Sequence, residues 1–360
     1  MKNNECSLLA ADSKKMSDEA LESALSKLES IRTQKFLERD LTDIQNRAEI
    51  CYLHPMLESR YFIDTDEASD FCKIVYDYVI ARKSGLYCTG EFRVGKTKAI
   101  QNTIEKLRQD AEWAAVFYHS ATRDMRQTKK AFCLELLRSF GQAAVGADAA
   151  ARLERFLITE AVNSGSRTCV VFIDEAQMLT VMQLRYLLEI WNGLRAEGFL
   201  LITILVGQKN LVSLKQLTSA EDHGAVIARF FVKGFSLGGL HSPDDLRKYM
   251  IAFDSILFFP FNSFWSYSRF FRQKAFDSGW RLESEYEILW KCLVERAAPD
   301  ERMLRYSGFR LAFVNDAIHS YFLDSMRLEA NGEKISPTAA WKDAVMSAAS
   351  SDLLIADGKK

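Results

Sequence analysis

The fold is decided by the stretch Gly90-Glu91-Phe92-Arg93-Val94-Gly95-Lys96-Thr97. One glycine, four variable residues and then Gly-Lys-Thr is the spacing of a phosphate-binding loop. Glycine permits the backbone angles that turn successive N–H groups toward phosphate oxygens. The short apolar run 86–89 before the loop predicts a strand, and the residues after it predict a helix to about Gln109. The loop therefore lies between a strand and a helix, which is the context that a phosphate-binding loop requires. The positive N-terminus of that helix adds to the attraction for phosphate.

A second motif, CVVFIDEAQ at residues 169–177, follows the loop in the chain. Its apolar run predicts a buried strand that ends at Asp174, where a carboxylate is costly unless it binds a cation. Glu175, the next residue, is placed to polarise a water molecule that attacks a phosphate. The alternative is a helix cap at the start of 175–179, which explains Asp174 poorly because the strand before it is so apolar.

Together the two motifs predict a site for ATP and Mg²⁺. Lys96 would reach the β- and γ-phosphates, and the Thr97 hydroxyl would hold Mg²⁺ with Asp174. The predicted nucleotide-binding residues of the loop are Gly90, Glu91, Phe92, Arg93, Val94, Gly95, Lys96, Thr97 and Lys98.

Strand and helix patterns alternate through the middle of the chain, which predicts an α/β fold with a mostly parallel sheet covered on both faces. The other predicted strands are 114–119, 199–206 and 230–235. After about residue 242 the patterns are helical only. The predicted organisation is a helical arm over 1–50, an α/β domain over 51–241, a helical domain over 242–347 and a flexible tail over 348–360.

Composition excludes several other classes of protein. The 360 residues carry a net charge of -1, so any nucleic-acid contact must come from a local patch. The seven cysteines form no CxxC pair, which argues against a zinc site and a disulfide framework. No signal peptide or membrane-spanning run is recognisable, so we expect a cytoplasmic protein with no membrane partner.

Three further residues are weaker candidates for the site. Gln208 follows the strand 199–206 and could orient the attacking water, although it could equally be a turn residue. Arg229 precedes the last predicted strand, where an arginine can reach the γ-phosphate of a neighbouring subunit; a plain surface arginine is the alternative. Arg310 begins a late helix and could touch the nucleotide, with Arg305 as a competitor.

Two stretches raise the question of nucleic acid. The first is basic and could contact DNA phosphates without reading the base sequence, or it could be a solvated helix start. Its candidate residues are Arg123, Arg126, Lys129 and Lys130. The second, over 258–271, is aromatic; base stacking is conceivable there, but the core of the helical domain is the preferred interpretation.

The sequence resembles a known family through four segments in fixed order. They are GEFRVGKT (90–97), VVFIDEAQML (170–179), QLRYLLEIWNGL (183–194) and LLITILVGQKNL (200–211). These look like the AAA+ ATPases that regulate DNA transposition, of the TnsC/TniB type, and the secretion-associated ExeA-type ATPases. Residues 54–89 and the segment DLRKYMIAFDSILFFP (245–260) resemble the transposition branch, so the resemblance covers roughly 50–345.

The resemblance implies a five-stranded parallel core sheet with a small helical lid. It also implies ATP-dependent rings or filaments of identical subunits around double-stranded DNA, which connect a target-selection protein to the transposase and disassemble on hydrolysis. Carried over to this sequence, Gln208 is the sensor, Arg229 acts in the neighbouring subunit, and Arg123 and Arg126 fall in the DNA-contacting region. Two features depart from the family: the bulky pair Phe92-Arg93 in the loop, and Gly308-Phe309-Arg310 in place of a Gly-Asn-X-Arg signature.

The function expected from the sequence is an ATPase that assembles on DNA and regulates transposition. The rival interpretations are a secretion ATPase, which should show a membrane segment or a peptidoglycan-binding domain, and a signalling or defence module in which nucleotide gates protein contacts without DNA. A replication loader is a third, but the region after 242 is too poor in strands for an added winged helix.

Overall fold

The computed structural model describes residues 38–123, 128–143, 148–220, 224–260, 263–298 and 301–348. The strands are β1 Leu86–Gly90, β2 Ala115–Ser120, β3 Thr168–Asp174, β4 Leu200–Gly207 and β5 Lys233–Leu237. The helices before the last strand are α1 Glu38–Thr42, α2 Ile44–Ile50, α3 Asp66–Ile80, α4 Lys96–Asp110, α5 Lys129–Ser139, α6 Ala149–Asn163, α7 Val181–Ala196, α8 Leu211–Ala220 and α9 Gly224–Phe230. The later ones are α10 Pro243–Ser255, α11 Tyr267–Phe271, α12 Gln273–Asp277, α13 Tyr286–Ala297, α14 Glu301–Tyr306, α15 Leu311–Ala330 and α16 Pro337–Ala348.

The strands form one parallel sheet in the order β2-β3-β4-β1-β5. All seven residues of β3 are buried, as are all but the first of β4, because helices cover both faces of the sheet. Parallel strands end at the same edge of a sheet. The loop after β1, the acidic pair at the end of β3 and Gln208 after β4 are therefore brought together at its carboxyl edge.

The sheet has an apolar core on each face. On one face α3 and α4 pack against it through residues such as Phe71, Val75 and Ile100. On the other face the core includes buried side chains from α5, α6, α7 and α9, among them Phe132, Leu187 and Phe230. Each face of the sheet is therefore covered by its own apolar core, and the carboxyl edge of the sheet lies between the two cores.

The described chain divides into two compact units. The unit with the sheet contains Phe62–Leu246, Trp290–Ala317 and the described end of the segment that begins at Val345. The second unit contains the described residues up to Tyr61, together with Arg247–Leu289 and Ile318–Ala344. The predicted domain boundaries at 50, 241 and 347 stay predictions.

The second unit is helical and its core is aromatic. Trp265, Phe270 and Phe271 are buried there, and His54 lies 4.2 to 4.9 Å from four aromatic rings. Of the aromatic stretch over 258–271, most described side chains are thus core, whereas Phe258 and Phe264 are exposed and Phe261 lies outside the described residues.

The predicted fold class is confirmed: the protein is an α/β P-loop protein with five parallel strands in one sheet. The last strand begins later than predicted, at Lys233, because 224–230 forms helix α9 and places Phe230 in the core. Most of the predicted arm 1–50, and the tail apart from residue 348, lie outside the described residues. None of the helices in the described ranges is both long and apolar enough to cross a membrane.

Candidate nucleotide-binding site

The phosphate-binding loop joins β1 to α4 and leaves the start of that helix open. Gly95 precedes the helix with φ of 97°, a left-handed conformation that favours glycine, and no side chain among the described residues caps the first turn. The backbone N–H groups of that turn are therefore available to an anion, and the helix dipole favours negative charge at the same place. Gly90 is equally constrained, since a Cβ there would lie 2.7 Å from the Leu237 carbonyl oxygen.

Lys96 is buried beneath this loop. Its ammonium donates to the carbonyl oxygens of Gly90 at 3.2 Å and Glu91 at 2.7 Å, which curls the loop around the side chain. The pKa of Lys96 is lowered from its ordinary value, because the effect of burial exceeds the opposing effect of the nearby charges of Glu175 and Asp174. The lysine is thus a cation placed between the loop and the acidic pair, as the sequence predicts.

Thr97 and Asp174 connect the two motifs. The Thr97 hydroxyl donates to Oδ2 of Asp174 at 2.7 Å, and the hydroxyl of Tyr118 donates to the same oxygen at 3.2 Å. Burial and the neighbouring Asp174 raise the pKa of Tyr118 to about 12. A hydroxyl beside a buried carboxylate is an oxygen-donor set that suits Mg²⁺, so these residues fit that ion. Sequence reasoning missed Tyr118, because only the pairing of β2 with β3 brings its hydroxyl close to Asp174.

Glu175 lies just beyond β3 in a left-handed conformation, with φ of 51° and ψ of 34°. Its backbone N–H donates to Oδ1 of Asp174 at 2.9 Å, and the Gln208 amide donates to its Oε2 at 3.4 Å. Gln177, in the one-turn helix Ala176–Met178, also donates to Oε2. The predicted base and sensor are therefore in contact, and Gln177 is a contributor that the motif analysis did not single out.

Arg310 reaches the loop through a small bridge within the same unit. Leu240 and Phe309 exchange backbone hydrogen bonds of 2.9 and 2.8 Å, and Gly239 packs so closely that a Cβ would lie 1.9 Å from the Phe309 carbonyl oxygen. This places the Arg310 guanidinium 3.8 Å from Oε2 of Glu91, while Lys209 lies 2.5 Å from Oε1. Lys209 is a second cation that sequence reasoning missed.

The remaining loop residues differ in exposure. Val94 is buried in the core, whereas Phe92, Arg93, Thr97 and Lys98 are exposed. The Arg93 guanidinium lies 5.5 Å from the centre of the Phe313 ring, and its carbonyl oxygen accepts from the Ala312 N–H at 3.2 Å. The bulky pair Phe92-Arg93, a departure from the family pattern, thus lets the loop contact the start of α15.

Arg229 lies away from this site within its own chain. It is exposed at the end of α9, with its guanidinium 4.6 Å from the centre of the Trp191 ring. Its carbonyl oxygen accepts from the Ser84 hydroxyl at 3.3 Å, next to the start of β1. The phosphate loop begins at the other end of that five-residue strand, which spans about 16 Å.

The basic stretch is only partly described. Arg123 and Lys130 are exposed, and Lys130 lines a groove of about 370 Å³ with Thr122, Thr128 and Arg138. Lys129 is held by Glu189 of α7 at 2.8 Å, an ion pair that raises its pKa. Arg126 lies outside the described residues.

The comparisons agree with this geometry. Residues 80–214 match the family model described as "AAA domain". The fold is similar to two structures of the ORC2 protein of Aeropyrum pernix: its ADPNP-ADP complexes (14 % identity, TM-score 0.54, 82 % of this chain and 71 % of that one) and its ADP form (15 %, 0.51, 78 % and 67 %). A search of curated proteins found no match. The chain thus has a P-loop fold of the AAA+ class, which supports a nucleotide-hydrolysing enzyme.

Proposed function

We propose that the protein is an AAA+ ATPase that assembles on duplex DNA and regulates transposition. In this proposal the ATP-bound form connects a target-selection protein to the transposase, and hydrolysis disassembles it. The observation that carries the ATPase part is the hydrogen bond between Thr97 and Asp174, which joins the phosphate loop to the acidic pair. The transposition part is supported by the four sequence segments that resemble the TnsC/TniB type.

Each residue of the site would have a separate role in hydrolysis. Lys96 and the N–H groups at the start of α4 would bind the phosphates, and Thr97 and Asp174 would hold Mg²⁺. Mg²⁺, when bound, neutralises charge on the β- and γ-phosphate oxygens. Glu175 would accept a proton from the attacking water, which the Gln208 amide helps to orient. The nucleotide complexes of the similar Aeropyrum pernix protein support a nucleotide as the ligand.

Assembly is required in this proposal because Arg229 would complete the site of the neighbouring subunit. Its exposed guanidinium lies over the Trp191 ring, and its carbonyl oxygen bonds Ser84 before the start of β1, whereas the phosphate loop of its own chain begins at the other end of that strand. An arginine that stabilises the transition state from outside contributes about 10³- to 10⁵-fold in rate. Isolated subunits should therefore hydrolyse ATP slowly.

DNA contact would fall on the exposed cations Arg123 and Lys130. Substituting either by alanine should weaken binding of a linear duplex about equally for every sequence and reduce the salt dependence by about one ion. Lys73 is the matched control, because it is exposed on α3, on the other face of the sheet. Loss of binding in Lys73→Ala alone would argue against this surface.

The experiment that tests the whole proposal is negative-stain electron microscopy with a slowly hydrolysed ATP analogue, with and without a linear duplex. Filaments or stacked rings that require both support assembly on DNA. The Lys96→Ala variant, which lacks the phosphate contact, should show neither. Particles that the duplex leaves unchanged would contradict DNA-dependent assembly and favour a nucleotide-gated protein contact of the secretion or signalling kind.

A further inference from the structure

The side-chain amide of Gln177 spans the two parts of the hydrolytic site. Its Nε2 group donates to Oε2 of Glu175, the residue proposed to activate water. Its Oε1 atom accepts from the backbone N–H of Gln208 at 2.9 Å. One planar amide thus bonds the end of β3 to the end of β4, and a single rotation of its side chain would break both bonds.

The neighbouring glycine shows how closely this amide is fitted. A Cβ at Gly207 would lie 2.4 Å from Oε1 of Gln177 and 3.3 Å from its backbone nitrogen. Real side chains do not approach that closely, so a larger residue at 207 would push the Gln177 amide out of this position. The sequence Gly207-Gln208 is thereby explained by packing against Gln177, in addition to the polar residue that the sensor requires.

The same arrangement uses one of the two carboxylate oxygens of Glu175. Gln177 and Gln208 both donate to Oε2 of Glu175, and Oε1 is the remaining oxygen. Glu175 itself has a left-handed backbone conformation, with φ of 51°, that a residue other than glycine rarely adopts. Such conformations persist where surrounding bonds determine them.

We propose that Gln177 is a positioning residue for hydrolysis: it holds Glu175 at a fixed distance from Gln208, so that base and sensor move as one unit. This inference rests on the proposed role of Glu175. It assigns Gln177 no contact with the nucleotide, so its loss should slow the chemical step without weakening ATP binding. A residue that merely stabilises the turn after β3 would instead lower the melting temperature and leave the rate of the folded protein unchanged.

The main test is Gln177→Met, which keeps the length of the side chain and removes both hydrogen bonds. In protein assembled with ATP and duplex DNA we expect kcat to fall by about 10- to 100-fold, less than the loss of the base itself, about 10²- to 10⁴-fold. The dissociation constant of a fluorescent ATP analogue should stay within about twofold, since the loop contacts remain. Met178→Ala is the matched control, because Met178 is exposed in the same short helix.

A double variant separates positioning from packing. The double variant Gln177→Met with Gln208→Ala should be little slower than the worse single variant, because residues that act as a unit are not additive.

The outcomes distinguish this inference from the proposed function. If Glu175→Gln abolishes hydrolysis while Gln177→Met keeps kcat within about twofold, Gln177 has no positioning role and the ATPase assignment stands. If Glu175→Gln itself hydrolyses ATP normally, the assignment of the base is wrong, and the inference about Gln177 is lost with it. A larger dissociation constant with unchanged kcat in Gln177→Met would also overturn the inference.

Discussion

The hydroxyl of Thr97 donates a hydrogen bond of 2.7 Å to Oδ2 of Asp174, across 77 residues of sequence. This contact joins the first turn of α4 to the last residue of β3. Both side chains have the oxygen atoms that Mg²⁺ prefers, and the Asp174 carboxylate is buried. The hydroxyl therefore satisfies a carboxylate that would otherwise be costly in the core, and the pair forms an oxygen-donor set at the mouth of the phosphate loop.

We predict that Lys96→Ala abolishes ATP binding. Lys96 is the buried cation of the loop, and its removal leaves the carbonyl oxygens of Gly90 and Glu91 without their donor. Titration with a fluorescent ATP analogue measures the loss. Lys106→Ala is the control on the same helix, since Lys106 pairs with the exposed Asp64 and such pairs contribute about 0–1 kcal/mol. Equal loss in both variants would indicate damage to α4 and not a phosphate contact.

Glu175→Gln should bind ATP and remain assembled. The substitution preserves shape but removes the group that accepts a proton, so hydrolysis should fall by about 10²- to 10⁴-fold. Phosphate release measures hydrolysis, and electron microscopy after addition of ordinary ATP should show assemblies that persist. Normal phosphate release from this variant would show that another group activates the water.

Residues 169–173 were predictable as a strand because β3 is buried on both faces, and a continuous apolar run is the signature of such a strand. The loop was equally predictable, since its chemistry needs glycine, lysine and threonine at fixed spacing. The start of β5 was not, because the short apolar run around Phe230 fits a buried helix as well as a strand.

The missed residues share a physical reason. Gln177, Lys209 and Tyr118 act through contacts between elements that only the sheet order brings together. Lys129 looked like a free basic residue, and its partner Glu189 lies sixty positions further along the chain. The spacing of residues in a sequence reveals the periodicity of one helix or strand at a time. A bond between side chains of two distant elements therefore cannot be recognised from the spacing in either element.

Glu91→Gln should tighten ATP binding. The Glu91 carboxylate contacts Lys209 and Arg310 beside the phosphate loop, where a second anion competes with the triphosphate for the same cations. Because an exposed pair such as Lys209–Glu91 contributes up to about 1 kcal/mol, we expect a gain of up to about fivefold. Arg310→Ala should weaken binding, whereas Arg305→Ala, which removes an exposed arginine of α14, should not. Weaker binding in Glu91→Gln would mean that Glu91 orders the loop instead.

Arg229→Ala should abolish hydrolysis at the site of the neighbouring subunit, which Arg229 would complete, and should leave the site of its own subunit intact. We expect pure Arg229→Ala and pure Glu175→Gln assemblies to be inactive. A mixture should recover activity, because Glu175→Gln subunits supply Arg229 to neighbours in which Glu175 is intact. Arg195→Ala is the control, since Arg195 contacts the same Trp191 ring at 5.7 Å. A mixture that stays inactive, or an active pure Arg229→Ala assembly, would contradict action between subunits.

The last prediction concerns acid. His319 of α15 is held by the Tyr61 hydroxyl at 2.8 Å, and burial lowers the pKa of His319 to about 4. In the unfolded chain a histidine titrates near about 6.5, so below that pH the unfolded state binds a proton that the folded state does not. The contribution to stability is therefore complete above about pH 6.5 and is lost as the pH falls toward 4, by at most about 3 kcal/mol.

The measurement is urea unfolding of the wild type and His319→Gln at several values of pH between about 4 and 7.5. Glutamine can keep the bond to Tyr61 but has no proton to gain, so the variant should lose less stability on acidification. Some acid dependence should remain, because burial also lowers the pKa of His54 well below its usual value. Parallel curves for the two proteins would show that His319 takes up no extra proton on unfolding.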